Sequence, residues 1–218
     1  MKGIIFDMDG TMVDNMMVHH RAWQAQFNSL GIEMTLEEVR EKVHGINHEI
    51  LKRLFGDRFS TEERNEISAA KEAAYRTLFL KELKLVDGLP DFLEECHANN
   101  IPMAIGSAAP PENVDFVIDH LAIRHFFQGI MHAKSVEQGK PNPEIFEKAA
   151  ATMGLSAHDC LIFEDSVTGA ETARRAGAPT IILTTTHAAE EFNAFSNVLR
   201  CISDFTKITV SEIMTSAF

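Results

Sequence analysis

Gly3-Ile4-Ile5-Phe6-Asp7-Met8-Asp9-Gly10-Thr11 reads as a buried strand that ends on two carboxylates. The apolar run is continuous rather than alternating, as expected for a strand covered on both faces in a parallel sheet. Asp7 falls at the strand tip and Asp9 on the turn that follows, where Gly10 supplies the backbone freedom of a tight exit. In an open α/β sheet ligands bind at the carboxyl ends of strands, so this is where chemistry is expected.

Three more runs share the pattern: Pro102 to Ser107, Leu161 to Asp165 and Thr180 to Thr184. Helical periodicity lies between them, over Gly88–Ala98, Asn113–Leu121, Pro143–Met153 and Gly169–Ala176. Strands alternating with helices specify a doubly wound α/β sheet. Residues 15–85 differ: they carry no buried-strand signal and are rich in Glu, Lys, Arg, Ala and Leu. Helices are expected there over His19–Leu30, Leu36–Val43, His48–Leu54 and Thr61–Leu83. The domain reading is an α/β core of 1–14 and 86–218 with an all-α helical insert, 15–85. Hinges are expected near Asp14-Asn15 and Leu85-Val86-Asp87.

The bulk composition is that of an ordinary globular protein, with 45% hydrophobic and 24% charged residues among 218. A net charge of −12 argues against nucleic-acid or anionic-membrane partners. Cys96, Cys160 and Cys201 are odd in number and lack metal-ligand spacing, so no disulfide framework is expected. No stretch approaches the length of a membrane span and the first apolar run is too short for a signal peptide. A cytoplasmic monomer acting on a small molecule is the resulting expectation.

An acidic protein that handles an anionic substrate must concentrate positive charge locally. Asp7 suits a nucleophile that attacks phosphorus, giving an aspartyl-phosphate, with Asp9 as its acid/base partner. Asp7, Asp9, Glu164 and Asp165 are the candidate ligands of Mg²⁺, a hard ion that prefers oxygen donors. Ser107, the neighbouring backbone at Ala108, and Thr11 are candidate phosphate contacts at strand-to-helix turns. Lys140, in Gly139-Lys140-Pro141-Asn142-Pro143, supplies the remaining cation. That stretch is no P-loop, because Pro141 stands where Ser or Thr is needed. Glu164-Asp165 also suits a helix start, and Ser166 reads as helix-start chemistry rather than a nucleophile. His44 and His48, four apart, read as surface residues of the helical insert rather than zinc ligands, since Gly45 weakens a helix there.

With these motifs in order, the chain resembles the haloacid-dehalogenase superfamily of phosphatases, in the β-phosphoglucomutase-like branch with a helical cap. The resemblance rests on Asp7-Met8-Asp9-Gly10-Thr11, Ser107, Lys140-Pro141 and Glu164-Asp165-Ser166 and spans essentially the whole chain. It implies a Rossmann-like catalytic core, Mg²⁺ dependence, an aspartyl-phosphate intermediate and a helical cap, residues 15–85, that opens and closes over the core. It also implies a site role for His19, and some anion-binding capacity for Lys71, which matches a cap lysine of the mutases. The mutases hold a second phosphate with a cap arginine, where this chain has His48 in Gly45-Ile46-Asn47-His48. Histidine is only partly charged near neutral pH and has no guanidinium fork. Pro110, Pro111 and Asn15 also depart from the mutase pattern, so simple hydrolysis is favoured over isomerisation. Retention of Asp9 favours P–O over C–halogen or C–P cleavage. A mutase and a non-catalytic phosphometabolite binder remain as the competing readings.

Overall fold

The computed structural model describes residues 1–43 and 45–215. His44 lies outside the described residues. The chain forms two compact units, one of Met1–Asp14 with Lys84–Phe218 and one of Asn15–Leu83.

The first unit is built on a six-stranded sheet. Its strands are β1 (Gly3–Phe6), β2 (Met103–Gly106), β3 (Gly129–Met131), β4 (Cys160–Glu164), β5 (Thr180–Leu183) and β6 (Val198–Ile202). They pair in parallel in the order β3-β2-β1-β4-β5-β6. Because side chains alternate along a strand, β1 buries neighbouring residues against opposite layers. Ile5 packs into a cluster with Ala104, Ile162, Phe146, Ala149 and Ala150. Phe6 stacks on Phe163 at 5.2 Å and meets Phe92 edge-on at 6.3 Å. Both faces are thus dry, which is why the strand sequence is continuously apolar. Each such fully buried ring contributes about 1.5–3 kcal/mol through burial alone.

The sequence pattern led to four strands, and β3 and β6 are additions to it. Both are edge strands, half-buried along much of their length, so neither shows a continuous apolar run. Arg200, in the middle of β6, is exposed.

The helices are α1 (Met16–Ser29), α2 (Leu36–Lys42), α3 (Asn47–Phe55), α4 (Thr61–Phe79), α5 (Leu89–Ala98), α6 (Pro111–His120), α7 (Glu144–Thr152), α8 (Val167–Arg175) and α9 (Val210–Thr215). The second unit consists of α1 to α4 around Trp23, Phe27, Val39, Ile50, Leu51 and Ile67. Thr35 with Glu38, and Ser60 with Glu63, form capping boxes that start α2 and α4. α4 ends four residues before the expected Leu83, because the chain turns with the Glu82 N–H donating to the Phe79 carbonyl at 2.8 Å. Among the described residues no helix is long and apolar enough to cross a membrane.

Candidate active site

β1 and β4 are neighbours at the point where the strand order reverses, with Phe6 in register with Phe163. Their carboxyl ends therefore deliver Asp7 and Glu164 side by side. The Asp7 N–H donates to the Phe163 carbonyl at 2.9 Å, which continues the ladder one residue past the strand. Lys140 arrives from the link between β3 and α7, where its peptide bond to Pro141 is cis. Its ammonium donates to Asp7 Oδ1 and to Glu164 Oε1, each at 2.6 Å, and lies 4.6 Å from the Phe146 ring. Glu164 Oε2 accepts the N–H groups of Asp165 and Ser166, both at 2.9 Å, and the Ser166 hydroxyl at 3.0 Å. Ser166 also caps α8 by accepting the Gly169 N–H at 3.0 Å.

Asp7, Glu164 and Asp165 are all buried and offer oxygens within 4.8 Å of one another. One ammonium cannot offset three carboxylates, and the ionisation of the group reflects this. Burial pushes Asp7 up to about 8; Lys140 opposes the shift, and Glu164 and Asp9 add to it. Asp165 is raised well above its ordinary value by burial, then by Glu164 and Asp7. Burial opposes ionisation of Glu164 too, but the charge and hydrogen bond of Lys140 and the Ser166 and Asp165 N–H groups hold it below its ordinary value. Lys140 is held charged by Asp7 and Glu164 against the cost of its burial. Hard oxygen donors with excess negative charge are what a Mg²⁺-type cation requires, so the residues fit that ion. The Asp9 side chain is not in the three-carboxylate group.

Asp9 is half-buried on a tight turn in which the Gly10 N–H donates to the Val13 carbonyl at 2.8 Å. Gly10 has φ +82°, and a Cβ there would lie 2.1 Å from Asp165 Oδ2. Only glycine tolerates both the conformation and the approach. Thr11 is fully buried and its hydroxyl has no hydrogen-bond partner among the described residues; its side chain faces the protein interior rather than solvent. Ser107 follows β2; its N–H donates to the Met131 carbonyl and its hydroxyl accepts the Ala109 N–H, both at 3.0 Å. Ala108, between them, is exposed.

His19, His48 and Lys71 belong to the helical unit. The Lys71 ammonium, almost wholly buried, is 2.8 Å from His19 Nδ1 and 2.9 Å from Glu72 Oε1. His19 stacks on Tyr75 with ring centres 3.9 Å apart, and the Asn47 amide donates to Glu72 at 2.6 Å. His48 Nε2 accepts from Arg64 Nε at 3.0 Å. The anion-binding capacity expected of Lys71 is thus met by an internal carboxylate.

Sequence reasoning passed over Thr185 and Thr186, which follow β5. The Thr185 hydroxyl donates to the Gly10 carbonyl, and Thr186 Oγ1 lies beside the same glycine, 2.8 Å from where a Cβ on it would stand. The available signal was positional: β5 leaves the sheet at the same edge as Asp7 and Glu164.

The switch point of a parallel sheet thus carries three buried carboxylates and a lysine. A family model described as haloacid dehalogenase-like hydrolase matches residues 1–177, and the chain belongs to that family. The fructose-1-phosphate phosphatase of Escherichia coli (strain K12) is 27% identical over 175 residues, covering 80% of this chain and 92% of that one. The beta-phosphoglucomutase of Bacillus subtilis (strain 168) is 30% identical over 187 residues, covering 81% and 80%. The crystal structure of a HAD hydrolase of family IA, variant 3, from Entamoeba histolytica superposes with a TM-score of 0.89 at 26% identity, covering 98% and 97%. The protein is accordingly a phosphohydrolase with an all-α helical subdomain inserted in a Rossmann-like core.

Proposed function

We propose that the chain is a cytoplasmic, Mg²⁺-dependent phosphomonoesterase that hydrolyses a small sugar phosphate through an aspartyl-phosphate on Asp7. The observation that carries this reading is the Asp7 carboxylate at the tip of β1, bonded to Lys140 beside Glu164 and Asp165. Bound Mg²⁺ supplies the charge that keeps Asp7 ionised among its acidic neighbours and neutralises phosphoryl oxygens. Asp7, Glu164 and Asp165 would hold it, with Asp9 as the fourth candidate ligand and the group proposed for proton transfer.

In the first step an Asp7 oxygen forms a bond to phosphorus as the ester P–O bond breaks. The departing oxygen takes a proton from the Asp9 carboxyl. In the second, Asp9 accepts a proton from water as that water attacks phosphorus, and Asp7 leaves unchanged with inorganic phosphate as product. Lys140, the Ser107 hydroxyl and the Ala108 backbone bind phosphoryl oxygens. Residues 1–14 and 86–218 carry the chemistry.

The sugar-phosphate reading is supported by the named activities of the E. coli and B. subtilis relatives. Hydrolysis is favoured over isomerisation because Lys71 is already paired with Glu72 and no guanidinium stands at position 48. The test is phosphate release from sugar monophosphates with and without Mg²⁺, repeated with Asp7→Asn. Release that needs Mg²⁺ and disappears in the variant supports the reading. Substrate isomerised without phosphate release points instead to a mutase.

A further inference from the structure

The ammonium that joins Asp7 to Glu164 comes from outside the two strands that carry them, on the loop between β3 and α7. A lysine side chain is a flexible stem, so where its ammonium rests depends on how firmly that loop is held. Glu144, the first residue of α7, grips it at both ends. Its Oε2 accepts the N–H groups of Glu137 at 3.0 Å and of Gln138 at 3.1 Å. Its own N–H donates to Asn142 Oδ1 at 3.0 Å. Asn142 closes the turn between them: its N–H donates to the Gly139 carbonyl at 3.0 Å, and its side-chain amide to Gln138 Oε1 at 2.9 Å. Lys140 lies midway between Gln138 and Asn142, inside this clasp. One turn along α7, Lys148 pairs with Glu144 Oε1 at 2.6 Å and donates to the Ser135 carbonyl at 2.9 Å.

An acid in the first turn of a helix, paired with a lysine four residues on, is ordinary surface chemistry. That account covers Oε1 and leaves Oε2 unexplained, since the two N–H groups it accepts belong to the loop and not to α7. We propose that Glu144 is a positioning residue for phosphoryl transfer. With Asn142 it fixes the loop that presents Lys140, so that the ammonium stands between Asp7 and Glu164 before substrate arrives. The inference rests on the proposed role of Lys140 at the phosphoryl group.

The experiment measures phosphate release with Mg²⁺ from sugar monophosphates and from p-nitrophenyl phosphate as a general probe. Glu144→Ala and Glu144→Gln are each compared in the parent chain and in Lys140→Met. Misplacing a reacting group on the order of 1 Å costs up to about 10²-fold, so Glu144→Ala should lower kcat by about 10- to 100-fold. Glu144→Gln keeps an oxygen for the two N–H groups and gives up only the ion pair with the half-exposed Lys148. Such pairs contribute little, so this variant should stay close to the parent. In Lys140→Met, Glu144→Ala should have no further effect on kcat, because residues that act through one another are not additive. Thermal melting reports folding separately. Where Glu144→Ala does not fold, Asn142→Ala opens the same clasp from its other side and carries the same expectation in both backgrounds. Near-parent kcat in Glu144→Ala, an equal fractional loss with and without Lys140, or an equal loss in Glu144→Gln overturns the inference alone. A parent chain that releases no phosphate, or near-parent turnover in Lys140→Met, overturns the role of Lys140 and the inference with it.

Discussion

Lys140 Nζ stands 2.6 Å from Asp7 Oδ1 across 133 residues of sequence. Both side chains are more than nine-tenths buried, so neither is screened by solvent. Lys140→Met leaves Asp7 and Glu164 facing each other with no ammonium between them. Loss of a preorganised cation of this kind lowers kcat by about 10²–10³. Lys140→Arg is not expected to rescue, because a planar fork cannot replace a point charge between two carboxylates. Steady-state phosphate release checks both variants, and near-parent turnover in Lys140→Met would remove Lys140 from the chemistry.

Asp9→Asn keeps the shape of the turn and removes the proton. General acid–base groups contribute about 10²–10⁴-fold, so kcat should fall by that order while KM stays close to the parent value. Rapid-quench detection of phosphorylated enzyme locates the defect. If that species forms and decays at parent rates, Asp9 is not the proton-transfer group.

Gly169 sits in the first turn of α8, where alanine would normally stabilise a helix by about 1 kcal/mol. Here a Cβ would lie 1.7–2.1 Å from the Glu164 carboxyl atoms. Gly169→Ala is therefore expected to destabilise the protein and to weaken Mg²⁺ binding, because Glu164 must abandon its three donors on Oε2. Thermal melting and Mg²⁺ titration read the two effects. A variant more stable than its parent would mean that Glu164 does not lie against the helix.

The helical unit carries its own titration. Burial opposes ionisation of Glu72, but Lys71, His19 and the Lys71 and Asn47 hydrogen bonds prevail and hold its carboxyl below the ordinary 4.5. With the folded value depressed, the contribution of ionised Glu72 is complete above 4.5 and disappears as pH falls through the folded value. Glu72→Gln should cost about 1.5–3 kcal/mol near neutral pH, the scale of a hydrogen bond to a charged group. It should also flatten the acid limb of the stability curve. Urea denaturation at neutral and acidic pH tests this, and equal pH dependence in both proteins would discount the pair.

Much of the site was legible because its residues end continuous apolar runs. Asp7 and Ser107 each follow, and Glu164 ends, a strand buried on both faces, so the pattern that located the strand also located the side chain. Thr185 and Thr186 were not legible, since threonine after a strand is ordinary and only the sheet order brings β5 beside β4. β3 and β6 were missed for a related reason: an edge strand packs on fewer neighbours and has no need of an unbroken apolar sequence. The pairing of Lys71 with Glu72 joins adjacent residues on α4, yet nothing in the sequence says that both side chains turn inward together.

The placement of β4 between β1 and β5 also bears on how the protein is made. Asp7 emerges early from the ribosome, whereas Glu164, Asp165 and the threonines beyond β5 come late, and the sheet cannot close around Asp7 until β4 has inserted. A nascent chain cut short before that strand holds Asp7 but neither Glu164 and Asp165 nor the segment after β5. Half-made copies released into the cell are therefore inert towards its phosphate esters, and reactivity arrives together with the completed fold.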